Sequence, residues 1–131
     1  MCKFAGKWFG KGYIYTKNTS SDDDIVKTKD HVEIHITMQS KYIYEIKVKS
    51  DFISNYVDYF LGFYNYKAKT IQAIHHTSTN ETNGISNFYI ANNKLYNMFN
   101  FIFNNKIIVS GEIKLKKQKI KKRSTHYNSK K

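Results

Sequence analysis

Two adjacent histidines, His75 and His76, are the residues in this chain best suited to hold or orient a ligand through an imidazole nitrogen. Both fall in a strand-like run, Thr70 to His76, and neighbours on a strand point to opposite faces, so the pair does not share one metal ion. One of the two then faces an interior, where beside Tyr89 or Tyr96 it would orient a bound ligand or a haem; parity alone does not choose which. His31 and His35 share a strand face but stand about 13 Å apart along it, too far to ligate one ion. Asp22-Asp23-Asp24 follows Thr19-Ser20-Ser21 in a polar loop and lacks the spacing of a calcium-binding loop. There is no nucleophile elbow, no metalloprotease helix and no close pair of carboxylates, so no catalytic residue and no metal ligand is assigned.

A second kind of chemistry is concentrated near the C-terminus. From Lys114 to Lys131 there are nine basic residues and no acidic one, leaving 13 basic against 10 acidic in the remainder of a chain with formal charge +12. Lys114, Lys116, Lys117, Lys119, Lys121, Lys122 and Arg123 form a run that would attract phosphate backbones through counterion release, without sequence preference. Exposed tyrosines such as Tyr13 and Tyr15 would supply stacking surfaces for bases. An anionic lipid or an acidic protein is a rival partner for the same lysines.

These side chains must be positioned by strands. Val32, Ile34, Ile36 and Met38 alternate with Glu33, His35 and Thr37, the period of two of a half-buried strand, and the first set should face a core. Tyr42, Tyr44, Ile46 and Val48 alternate in the same way, and Gln39-Ser40-Lys41 between the runs is short enough for a hairpin. Further strand-like runs are Trp8 to Thr16, Tyr56 to Tyr66, Thr70 to His76, Ile85 to Ala91, Lys94 to Phe103 and Lys106 to Lys114. Asn92-Asn93 and Asn104-Asn105 suit turns with positive φ, and 79–84 reads as a longer exposed loop. About eight strands with short links leave no room for crossover helices. They predict an all-β, antiparallel up-and-down barrel, closure being the device that removes exposed edges. Phe52, Ile53, Tyr56, Val57 and Phe60 also fit a helical stripe, so one short helix is expected around residues 50–60.

At 131 residues, 40% hydrophobic, the chain makes one domain able to bury a core, and eleven Tyr and nine Phe favour strands. The domain is expected over 1–115, with 116–131 a basic, flexible tail. The single cysteine, Cys2, has no internal disulfide partner. With no membrane-length apolar run and no signal-peptide run at the N-terminus, an intracellular, non-secreted setting is expected: cytoplasm, plastid or virion interior. One arginine, no proline and abundant Asn, Ile and Lys indicate AT-rich coding, of the kind found in giant viruses, plastids and some protists.

The opening Phe4-Ala5-Gly6-Lys7-Trp8-Phe9-Gly10-Lys11-Gly12-Tyr13 resembles the calycins. In lipocalins and related barrels an early Gly-x-Trp plugs one end, and Gly6, Trp8, Gly10 and Gly12 are similar to the Gly-x-Trp-x-Gly-x-Gly opening of nitrobindin-like proteins. Arg123, in the tail, does not match the lipocalin arginine that packs on this tryptophan, and the proline-containing region of nitrobindins is missing; haem binding is not carried over. Gly6-Lys7-Trp8-Phe9 and Glu112-Ile113 also echo the CpcS-type phycobiliprotein chromophore lyases, without their Gln-Arg-Thr.

The resemblance implies a non-catalytic binding module or structural accessory protein, with a lumen for a small apolar ligand lined by candidates Trp8, His75, His76, Tyr89 and Tyr96. The alternatives are a nucleic-acid-binding barrel acting through the lysine-rich tail and a lyase-like calycin. No cofactor is predicted, a haem or a bilin being the ones such a lumen would take.

Overall fold

The computed structural model describes residues 3–51, 57–76 and 82–119. Eight antiparallel strands run in chain order: β1 (Gly6–Asn18), β2 (Val26–Met38), β3 (Ile43–Ser50), β4 (Asp58–Asn65), β5 (Thr70–His76), β6 (Thr82–Ala91), β7 (Lys94–Phe103) and β8 (Ile107–Lys117). Each pairs with the next, and β8 returns to β1, closing the barrel. Among the described strands, closure leaves no edge for another chain to extend.

Turn chemistry fixes the hairpins. Asn92 and Asn93 have φ of 52° and 63°, and Asn104 and Asn105 of 54° and 58°, the left-handed conformation that asparagine tolerates. Between β4 and β5 the Asn65 side chain accepts from the backbone N–H of Lys67 and Ala68, and the N–H of Lys69 donates back to the Asn65 carbonyl at 2.7 Å. Lys69 takes the positive φ of 59° that brings the chain into β5.

The alternation seen in the sequence sorts side chains inward and outward around the barrel. Ile34, Ile36, Ile46, Ile71, Phe88, Leu95, Ile113 and Leu115 are wholly buried and form the packed interior around Trp8. In the β2–β3 hairpin Ile36 pairs with Ile46 and Ile34 with Val48. Met38 departs from the expected core set and is 47% exposed. The β1–β2 ladder ends at Gly6↔Ile36, so no β1 residue lies beside Met38 to cover it.

Two expected boundaries also move. β8 continues to Lys117, held in register by Trp8↔Lys117 and Phe9↔Lys116, so the wall includes residues assigned to the tail from sequence. No helix is present among the described residues; of the helix expected around 50–60, residues 50 and 58–60 are strand, and 52–56 lie outside the described part.

Candidate functional site

One end of the barrel is sealed by aromatics. The Trp8 indole Nε1 donates to the Phe4 carbonyl at 2.8 Å in a buried bond, which ties the residues before β1 to that strand. Phe4 packs edge-on against Tyr64 (5.7 Å between centroids) and Tyr44 (6.3 Å), and the Lys117 ammonium lies 5.3 Å from the Trp8 ring. Trp8 is therefore a plug with its polar atom satisfied, and it offers no free face to a ligand.

At the opposite end the interior becomes mixed. Phe60, Phe99 and Phe101 form a chain of ring contacts: Phe60 to Phe101 at 5.7 Å and Phe99 to Phe101 at 5.3 Å. His75, inward-facing on β5 after Ile71 and Ala73, stands edge-on to Phe60 at 5.0 Å and 6.0 Å from Phe101. Its side chain is only 3% exposed, and neither ring nitrogen has a hydrogen-bond partner. Nε2 is 3.1 Å from Asp58 Oδ1, close enough for an ion pair but without the alignment of a hydrogen bond. Next along the rim, Ser50 Oγ donates to Asp30 Oδ2 at 2.6 Å, and Asp30 is buried.

The other candidates fall elsewhere. Tyr89 and Tyr96 pair across β6 and β7 and stack on one another at 5.1 Å with rings 10° from parallel. Their chain neighbours Phe88, Leu95 and Asn97 are buried, which gives the two tyrosines the outward-facing parity. The backbone of His76 pairs with Tyr59 on β4. Inside the wall Asn97 Nδ2 donates to Ser86 Oγ at 2.6 Å and to the Asn87 carbonyl at 3.1 Å, a polar bridge that sequence reasoning did not find because one Asn in an alternating strand carries no mark of burial.

Among the described residues no group of three His, Cys, Asp or Glu side chains is placed to hold a metal ion. His31 and Asp51 form an ion pair at 3.2 Å with side chains 63% and 74% exposed, a contact that water and salt screen. No helix among the described residues is long and apolar enough to cross a membrane, which says nothing of a β-barrel.

Of the basic run, Lys114 and Lys116 point outward from β8, Lys117 lies against the plug, and Lys119 follows the strand. Lys121, Lys122 and Arg123 lie outside the described residues. An outer groove of about 1400 Å³ is lined by Phe9, Lys11, His31, Lys49, Lys94 and Lys116, among others.

No family model matches the sequence, and no curated protein is similar to it. Among solved structures, the S-type phycobiliprotein lyase CPES from Guillardia theta is similar over 91% of this chain and 90% of that one, with a TM-score of 0.49 and 10% identity. Likeness at that level transfers neither residue roles nor an activity.

Proposed function

We propose that the protein is a non-catalytic binding barrel of the calycin type that seats a small, largely apolar molecule at the end opposite Trp8, with His75 as its polar anchor. The observation that carries this reading is the imidazole of His75. Buried polar groups in folded proteins are nearly always hydrogen-bonded, and a buried donor or acceptor left without a partner costs about 1–3 kcal/mol. His75 bears that cost at Nδ1, while Nε2 has only the misaligned contact with Asp58 Oδ1, and the ring lies against Phe60 and Phe101. A ligand with one hydrogen-bonding group would satisfy Nδ1.

The packed residues around Trp8 restrict such a ligand to this end. Ligand sites of this type combine an apolar lining with a small number of placed polar groups.

The test uses the full chain and the uncharged fluorophore N-phenyl-1-naphthylamine, which has a flat apolar body and one N–H. The expected result is saturable enhancement at one site per chain, weakened about tenfold or more in His75→Phe, with salt having little effect. An enhancement that does not saturate, or equal affinity in a folded His75→Phe variant, would overturn the reading. Native mass spectrometry of the gently purified chain then reports whether a molecule is carried from the cell and at what stoichiometry.

A further inference from the structure

The lysines of this barrel are not spread around its wall. β1, β2, β3, β7 and β8 carry eleven lysines, whereas β4, β5 and β6 carry no lysine or arginine. A lysine-rich coding bias raises the number of lysines but does not sort them by strand. The lysine-free wall instead exposes Leu61, Ile74 and Ile85, which sit in one row across three strands.

On the basic wall, cross-strand register sets cations directly opposite cations: Lys11↔Lys114 between β1 and β8, and Lys94↔Lys116 between β7 and β8. Like charges facing each other across a ladder are destabilising. Glu33 and Glu112 also lie on this face, too few to neutralise it. Its charge is complementary to a polyanion.

Along the middle of the face runs the outward edge of β1, in the order Phe9, Lys11, Tyr13, Tyr15. The three rings are 41%, 46% and 42% exposed. From β8, Lys116 and Lys114 stand opposite Phe9 and Lys11, and Glu112 and Ser110 opposite Tyr13 and Tyr15; from β2, His31, Lys29 and Lys27 stand opposite Lys11, Tyr13 and Tyr15. Successive outward positions on a strand are about 6.8 Å apart. That is about twice the 3.4 Å rise per base in a duplex strand, so Tyr13 and Tyr15 are spaced for one flat base between them. A base can enter only if it is unpaired and parted from its neighbours. In the free protein the Lys27 ammonium lies over both rings, 4.3 Å from the centre of Tyr13 and 5.9 Å from that of Tyr15, and a phosphate alongside would draw it off.

We infer that the outer face of β8–β1–β2 is a binding surface for single-stranded nucleic acid, with Tyr13 and Tyr15 stacking on bases and Lys11, Lys114 and Lys116 contacting phosphates. The surface belongs to the folded barrel, not to the basic tail, and lies on the outside of the wall, away from the interior that holds His75. Its sequence preference is weak, since stacking and phosphate contacts read no base edges.

The experiment measures fluorescence anisotropy of a dye-labelled oligothymidylate on the full chain, at several salt concentrations. Tyr13→Ala and Tyr15→Ala should each weaken binding about tenfold, while Tyr13→Phe, which keeps the ring, binds as the parent does. In Lys11→Gln/Lys114→Gln the slope of log affinity against log salt should fall by about 1.4. A full-length variant with Lys119, Lys121, Lys122 and Arg123 changed to Gln should retain the dependence on Tyr13. Thermal melting of each variant confirms folding. Unchanged affinity in a folded Tyr13→Ala/Tyr15→Ala variant overturns the inference, as does loss of all binding with the tail substitutions. Equal or tighter binding to a duplex of the same length, or to vesicles containing anionic phospholipid, assigns the face to a different polyanion and also overturns it.

Discussion

Replacing Gly10 with alanine should open the seam that closes the barrel. Gly10 lies opposite Leu115 in the β1–β8 ladder, and a Cβ added there would stand 2.0 Å from the Lys114 carbonyl oxygen and 2.7 Å from the Leu115 Cα. Ordinary contact begins at 3.4 Å, and both obstructing atoms are backbone, so no side-chain rotation relieves the clash. The strands must part by roughly 1.4 Å, which stretches an N–H···O bond from about 2.9 Å to beyond 4 Å and breaks it. Losing two or three ladder bonds at about 1 kcal/mol each, with about 1–3 kcal/mol of overpacking strain, gives a destabilisation of about 3–6 kcal/mol. That is a large part of the roughly 5–15 kcal/mol that holds a domain together, and corresponds to a fall in Tm on the order of 15 °C. Gly62→Ala is the comparison: the three atoms nearest its Cβ would be side-chain carbons of Ile71, Ile46 and Ala73, the closest at 2.6 Å, and it should cost about half as much. Far-ultraviolet circular dichroism during thermal and urea unfolding measures both. A Gly10→Ala variant melting within about 3 °C of the parent, or above Gly62→Ala, would refute the close-approach argument.

Two further substitutions probe the interior. Trp8→Phe leaves the Phe4 carbonyl without its donor and vacates space at the plug, so the urea midpoint should drop by the equivalent of about 2–4 kcal/mol at unchanged m-value. Asn97→Ala strips the amide from Ser86 Oγ and the Asn87 carbonyl and should cost about 2 kcal/mol in the same assay, whereas Asn100→Ala, which removes only the exposed acceptor of the Ser110 hydroxyl, should cost about 0.5 kcal/mol. Because Trp8 is the only tryptophan and is buried, native emission should be blue-shifted and move to the red on unfolding; emission already at the wavelength of a solvated indole would contradict the plug.

The barrel was legible because its strands announce themselves locally. Period-two alternation around Ile34 and Ile46 requires one buried face, and Asn-Asn pairs at 92–93 and 104–105 mark turns that few other residues adopt. Thr70–His76 and Lys94–Phe103 are strands with the bounds the pattern assigned. Local signals failed at element ends, where the environment comes from other strands: β8 runs past Lys114 because β1 supplies partners as far as Trp8, and Met38 is bare because β1 stops at Gly6.

The candidate site was legible only as residue types. The sequence by itself determined that one of His75 and His76 must face inward, that Trp8 belongs to the first strand, and that the chain is strongly basic. Tertiary structure decided the rest. It turned His75 to the interior beside Phe60 and Phe101, and set Tyr89 against Tyr96 at outward-facing positions. It also brought Lys11 opposite Lys114, residues about a hundred positions apart. The physical reason is range: strand and turn preferences act over a few residues, whereas which side chains share a wall depends on the register of strands that meet only when the barrel closes.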